Sequence, residues 1–163
     1  MPERNIMEIE TVALDDENGA LVILDQMRLP GEVAVLRLTE QKDIWNAIYR
    51  LQVRGAPAIG VAAGFGAYLA AKGIRTADGA EFIRRFRAAT AYLDSARPTA
   101  VNLSWALRRM ERVAEDNAGR PVPEIVGLLH RECVAIRDED VWMCRRIGEY
   151  GLSLITDGCG ILT

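Results

Sequence analysis

The chain has 163 residues, of which 50% are hydrophobic and 26% charged, and a formal net charge of −3. This length suits one folded domain with a buried core, and the composition excludes a disordered or collagen-like chain. Because the net charge is negative, the chain has no general basic field, and neither nucleic acid nor an anionic membrane is expected as a partner.

The first part of the chain is predicted to form a small β-region. Strand-like runs of apolar residues occur at residues 9–14, 20–24 and 33–38, with turn-forming residues between them. Short strands joined by tight turns favour an antiparallel meander, which we assign to residues 6–38.

The period of the apolar residues changes from two to 3.6 after Thr39, an acceptable helix N-cap, which indicates that the rest of the chain is helical. After this first helix, further helices are predicted at residues 57–72, 80–93, 101–114 and 122–154. The last of these is long, and we expect a bend or break near residues 136–140. The predicted fold class is therefore α+β, mainly α, with the β meander followed by a helical bundle at residues 39–155.

The uncharged stretch at residues 56–71 is too short to span a bilayer and is interrupted by glycines, so a buried core helix is predicted. The three cysteines form no CxxC pair, which argues against a zinc site and a disulfide framework. Cys133 and Cys144 are interpreted as structural helix residues that behave as small buried hydrophobes, and His130 as a helix residue without catalytic duty. With no targeting segment recognised, a cytoplasmic location is expected, and no metal or organic cofactor is predicted.

The segment Val53-Arg54-Gly55-Ala56-Pro57-Ala58-Ile59-Gly60 carries the most specific signal. Pro57 suits the first turn of a helix, and Gly55 allows a sharp turn close to a ligand. The free N–H groups of that turn and the helix dipole favour an anion, to which Arg54 can add a two-pronged contact. The same pattern also begins helices that bind nothing, so the motif alone leaves both interpretations open.

A second arginine, Arg97, precedes another predicted helix start. Pro98 favours an extended conformation for Arg97, and Thr99 is the expected N-cap of the following helix. Two such helix starts suggest one shared site for a phosphorylated ligand, bracketed by Arg54 and Arg97. The alternative is that Arg97 is an ordinary surface residue of a loop.

Residues 53–60, 97–103, and 147–151 leading to 161–163 together resemble the methylthioribose-1-phosphate isomerases of methionine salvage, as does the earlier segment 24–30. The resemblance runs through essentially the whole chain in order. It implies that Arg54, Gly55, Ala56 and Arg97 bind a sugar-phosphate substrate. It also implies an aldose-ketose isomerase that forms a homodimer.

The resemblance further implies two domains. Residues 1–155 would be the N-terminal domain, and residues 156–163 would begin a Rossmann-like α/β domain whose first strand starts at residues 161–163. The catalytic cysteine and aspartate of the family match no residue of this sequence, and Cys159 is interpreted as a turn residue. We therefore predict no catalytic residue here, an inactive isolated chain, and an exposed apolar docking face for the remaining half beside the helix from Pro57 and near residues 161–162.

Two alternatives remain at this level. A ribose-1,5-bisphosphate isomerase of the same superfamily would need cationic groups for a second phosphate. A regulatory subunit related to those of the initiation factor 2B complex would share the fold but need not keep both substrate arginines. The presence of Arg54 and Arg97 within their full motifs favours the enzyme.

Overall fold

The computed structural model describes residues 10–162. Within this range the elements are, in chain order, β1 (Val12–Asp15), β2 (Ala20–Leu24), β3 (Val35–Leu38), α1 (Gln41–Tyr49), α2 (Ala56–Gly73), α3 (Gly79–Asp94), α4 (Val101–Asp116) and α5 (Val122–Leu152). The predicted class, α+β and mainly α, is confirmed. The parts of the predicted meander at residues 6–9 lie outside the described residues.

The three strands form an antiparallel sheet in the order β1-β2-β3. Ile23 at the centre of β2 pairs with Val12 of β1 and with Leu36 of β3. Ile23 is fully buried because one face of the sheet packs against the helices. The β1–β2 turn is joined to α2 by Asp16, which accepts hydrogen bonds from the Tyr68 hydroxyl and the Lys72 ammonium, both at 2.7 Å.

Helix α2 is the central element of the core, buried from Ile59 to Ala71. Its glycines allow close packing, as predicted. A Cβ atom at Gly64 would lie 3.2 Å from Ile136 of α5, and one at Gly66 would lie 3.1 Å from Ile44 of α1. Small residues on this helix therefore let neighbouring helices approach on several sides.

Two predicted helix caps were wrong. The N-caps of α1 and α4 are Glu40 and Ala100, rather than Thr39 and Thr99, and neither cap has a side-chain hydrogen bond. Helix α5 continues from Val122 to Leu152, so the predicted break is absent from it, while a bend near residues 136–140 stays a prediction. Residues 161 and 162 form no strand within the described residues, and residue 163 lies outside them, so the domain predicted to begin at residue 156 stays a prediction.

The second half of α5 carries exposed apolar side chains. Trp142, Ile147 and Tyr150 are each more than 60% exposed, and a groove of about 660 Å³ runs beside them. Ile161 and Leu162 are also exposed, as predicted, whereas α2 itself is buried from Ile59 to Ala71. Val101, which lines the same cavity as the start of α2, is 75% exposed, and the docking of a further domain there stays a prediction. No helix in the described range is long and apolar enough to cross a membrane.

Candidate functional site

The loop that leads into α2 begins where α1 ends. Gln52 N–H donates to the Ala47 carbonyl at 2.9 Å, and Leu51 N–H donates to the Ile48 carbonyl at 3.2 Å. These two hydrogen bonds form a Schellman motif, in which the residue after the C-cap takes a positive φ. Leu51 takes that conformation, with φ of 62°, although it is not a glycine. The end of α1 is thereby fixed immediately before Arg54.

Gly55 is the N-cap of α2 and has a φ of 94°, a conformation that side-chain-bearing residues rarely adopt. The helix has no side-chain cap. Its first N–H groups, those of Ala56 and Ala58, have no backbone partner among residues 10–162, and Pro57 has no N–H to satisfy. The start of α2 thus presents free donors at the positive end of a helix dipole.

The start of α4 is built by a tight turn. The Ala100 N–H donates to the Arg97 carbonyl at 2.9 Å, which makes residues 97–100 a β-turn with Pro98 at its second position, where proline is favoured. Helix α4 also lacks a side-chain cap, and within the described residues the N–H groups of Val101 and Asn102 have no backbone partner. Arg97 therefore lies at the mouth of a second uncapped helix start.

The two helix starts lie side by side. A Cβ atom at Gly60 would lie 3.2 Å from the Asn102 carbonyl oxygen, so the second turn of α2 and the first turn of α4 are in direct contact. Between them is a cavity of about 420 Å³, a size typical of small-molecule sites. Its lining includes Gly55, Ala56, Ile59, Arg97, Thr99 and Asn102.

The structure brings together three of the four residues predicted to bind substrate. Gly55, Ala56 and Arg97 line the cavity, whereas Arg54 is exposed next to Gly55 and does not contribute to the lining. Within the described chain no ion pair joins either arginine to a carboxylate. Arg97 is therefore available to pair with an anion in the cavity, and Arg54 stands beside its entrance.

Asn102 had no predicted role, and Thr99 was predicted only as a helix cap. Both line the cavity, where the Asn102 amide and the Thr99 hydroxyl are suited to sugar hydroxyls or phosphate oxygens. The signal for Asn102 was its position in the first turn of the helix that follows Arg97. Ile59, which belongs to the motif at residues 53–60 but had no predicted role, adds an apolar wall.

The cysteines and the histidine lie away from this cavity. Cys133 is fully buried in α5, and burial raises the pKa of its thiol to about 12, so it stays protonated and unreactive. Cys144 is exposed, so its predicted burial was wrong: its neighbours in α5, Trp142 and Met143, are exposed as well. The His130 ring packs on Tyr68 with 5.0 Å between centroids. Residues 10–162 contain no group of three His, Cys, Asp or Glu side chains placed to hold a metal.

The amino-acid sequence is similar to that of known proteins. The profile described as the initiation factor 2 subunit family matches residues 52–163. The chain is 55% identical over 156 residues to a methylthioribose-1-phosphate isomerase of Symbiobacterium thermophilum, covering 96% of this chain and 44% of the relative. It is 47% identical over 146 residues to a 5-deoxyribose 1-phosphate isomerase of Moorella thermoacetica, covering 90% of this chain and 42% of the relative.

A solved structure agrees with these matches. The fold superimposes on 5-methylthioribose 1-phosphate isomerase from Pyrococcus horikoshii with a TM-score of 0.86 and 38% identity, covering 91% of this chain and 41% of that one. The chain thus spans less than half the length of the relatives that it matches.

Proposed function

The chain belongs to the initiation factor 2 subunit family, and from this membership we propose that it is the N-terminal part of a sugar-phosphate aldose-ketose isomerase. The substrate that we assign is 5-methylthioribose 1-phosphate, converted to 5-methylthioribulose 1-phosphate in methionine salvage. The observation that carries the proposal is the cavity between two uncapped helix starts with Arg97 at its mouth. Relatives at 55% and 47% identity are named as isomerases of ribose 1-phosphate derivatives.

The role of this chain in the reaction follows from the chemistry of the substrate. A phosphate on C1 blocks opening of the ring to a free aldehyde, so the ring must open while the phosphate stays attached. A proton donor for the ring oxygen and transfer of hydrogen from C2 to C1 are then required. We assign phosphate anchorage to Gly55, Ala56 and Arg97, with Arg54 at the entrance, and expect the acid–base groups in the rest of the protein. Fixed donors of this kind lower the barrier by orienting the reacting carbons.

A second substrate has specific support. Several relatives, including the one from Moorella thermoacetica, are named for 5-deoxyribose 1-phosphate, which differs from the first substrate only at C5. The helix-start donors and Arg97 would hold the same C1 phosphate in both sugars. The protein residues that contact the C5 substituent therefore determine which of the two sugars is preferred. A ribose-1,5-bisphosphate substrate would instead require cations around C5.

A non-catalytic regulatory subunit is the alternative from another class, since the family name refers to an initiation factor. Such a protein need not keep both Arg54 and Arg97. Here the helix-start donors of α2 and α4 remain free, and Arg97 lines the space between them. This arrangement supports the enzyme over the regulatory subunit.

The partners proposed are the remainder of the protein and a second copy. The exposed apolar part of α5, at Trp142, Ile147 and Tyr150, suits contact with a further domain because apolar side chains of this size are usually covered. We propose that the whole protein is a cytoplasmic homodimer. Residues 1–163 alone are expected to have no isomerase activity.

The experiment that tests the proposal measures kcat/KM of the full-length protein with 5-methylthioribose 1-phosphate, 5-deoxyribose 1-phosphate and ribose 1,5-bisphosphate. We expect the highest value for the first sugar. A higher value for either of the others would reassign the substrate. No turnover of any of the three would overturn the isomerase proposal and favour the regulatory subunit.

A further inference from the structure

Asp25 is a buried carboxylate outside the cavity lining, and only 3% of its surface is exposed. It follows β2 directly, and its N–H donates to the Ala34 carbonyl at 2.8 Å, so the sheet fixes its backbone. Burial of a carboxylate is costly unless hydrogen-bond donors satisfy it. The buried carboxylate of Asp25 must therefore be stabilised by hydrogen-bond donors.

The donors to Asp25 come from two separate parts of the chain. The Met27 N–H donates to Oδ1 at 3.0 Å, which closes a local turn. The Gln52 side-chain amide donates to Oδ2 at 2.8 Å from the loop that leads into α2. The exposed Arg28 stands 3.6 Å from the same oxygen. The carboxylate thus connects the end of the sheet to the loop before the anion site.

Gln26 adds two further hydrogen bonds between the same segments. Its N–H donates to the Gln52 carbonyl at 3.1 Å, and its side-chain amide donates to the Arg54 carbonyl at 3.3 Å. Residues 25–26 therefore hold residues 52–54 at three points. The next residue, Gly55, is the N-cap of α2.

We propose that Asp25 is a positioning residue for the phosphate site, which acts by holding the 52–55 loop so that Arg54 and the first amides of α2 face the ligand. The inference rests on the proposed function for its ligand. Loss of the Asp25–Gln52 hydrogen bond makes the 52–55 loop more mobile and weakens binding of the substrate phosphate, without acting on the chemical step itself. The effect appears in KM and much less in kcat, as for an interaction made equally in the ground and transition states.

The test exchanges donor and acceptor. In full-length protein, Asp25→Asn keeps an oxygen for the Met27 N–H but replaces the carboxylate oxygen that accepts from Gln52 with an NH2 group. Gln52 must then turn its amide over, and the stronger hydrogen bond to a charged acceptor is lost. Gln52→Glu alone sets a carboxylate against Asp25. The double variant, Asp25→Asn with Gln52→Glu, restores one donor and one acceptor. Glu32→Gln is the control, because Glu32 pairs with Arg28 at 2.9 Å and, within residues 10–162, forms no hydrogen bond with residues 52–54.

Each single variant is expected to raise KM for 5-methylthioribose 1-phosphate about tenfold with kcat within about twofold, while the double variant recovers most of the loss. Amide hydrogen exchange is expected to accelerate at residues 53–58 in the single variants and to return towards wild type in the double variant. The Glu32→Gln control changes neither measurement. An unchanged KM in Asp25→Asn, a lowered Tm with a normal KM, or a double variant without rescue would overturn the inference.

The two proposals fail separately. If the wild-type protein turns over none of the phosphorylated sugars, the proposed function is wrong, and the exchange measurement alone decides whether Asp25 positions the loop. Unaltered exchange at residues 53–58 in Asp25→Asn then overturns the inference by itself.

Discussion

Gly60 in α2 lies against Asn102 in α4 so closely that a Cβ atom at residue 60 would stand 3.2 Å from the Asn102 carbonyl oxygen. This contact sets the distance between the two helix starts that form the candidate phosphate site. The opposing atom belongs to the backbone, which cannot rotate away as the end of a side chain can.

Gly60→Ala is therefore expected to push α2 and the first turn of α4 apart. We predict a loss of about 1–3 kcal/mol in unfolding free energy, as for overpacked cores, together with weaker phosphate binding. Gly127→Ala in α5 is the matched control, because no atom lies within 4 Å of its added Cβ. It should stabilise the helix by about 0.5–1 kcal/mol. Equal thermal shifts in the two variants would contradict the close-contact account.

Arg54→Ala is expected to weaken substrate binding far more than folding. The side chain is exposed and forms no ion pair in the described chain. A charge-assisted contact to phosphate contributes about 1.5–3 kcal/mol, which corresponds to roughly a ten- to hundredfold change in affinity. Arg54→Lys keeps the charge without the fork and should recover only part of it. If Arg54→Ala melts much lower but the folded protein keeps a normal KM, Arg54 is structural.

Arg109 joins α4 to α5 through two carboxylates. Its guanidinium pairs with Glu132 and binds Glu139 in a two-pronged contact at 2.5 and 2.7 Å. Its side chain is 25% exposed, so solvent screens these pairs less than it screens a surface pair. We predict that Arg109→Ala costs about 1–3 kcal/mol of unfolding free energy. Arg120→Ala, which removes a more exposed pair with Glu124, should cost less than about 0.5 kcal/mol. Chemical denaturation of both variants provides the comparison.

Asp16 gives the fold a specific sensitivity to acid. Hydrogen bonds from Lys72 and then Tyr68 lower the pKa of its carboxyl below the ordinary value of 3.8, against the opposing effect of burial. Stability from this group is therefore fully present above about pH 4 and is lost as the pH falls through the lowered pKa. We predict that Asp16→Asn is less stable than wild type at pH 7 and that the difference shrinks towards pH 2. Thermal melts from pH 7 to pH 2 measure this; a constant difference would contradict it.

The sequence pattern predicted the elements well because apolar periodicity reports burial. The bounds of β2 agree with the prediction, and α2 was correctly predicted as a buried core helix. The two cap predictions were wrong for a physical reason. Thr39 and Thr99 have side chains that can cap a helix, but the backbone places the N-cap one residue later in each case. Capping residues alone do not fix a helix start to the residue.

The candidate site was only partly predictable. Residues Gly55, Ala56 and Arg97 were found from helix-start chemistry and from a family resemblance. Asp25 was not, because its importance comes from a hydrogen bond to Gln52, which is 27 residues away in sequence. Contacts of that separation depend on how the sheet packs on the helices, and no local pattern encodes them.

The central claim is that the starts of α2 and α4 hold a phosphate with the help of Arg97. The most direct test is calorimetric titration of full-length protein with 5-methylthioribose 1-phosphate, comparing Arg97→Ala with Arg108→Ala. Arg108 is an exposed residue of α4 outside the cavity lining, so both variants lose the same charge. The account predicts that Arg97→Ala weakens binding about ten- to a hundredfold, while Arg108→Ala stays within about twofold of wild type. Equal affinities in the two variants would contradict it.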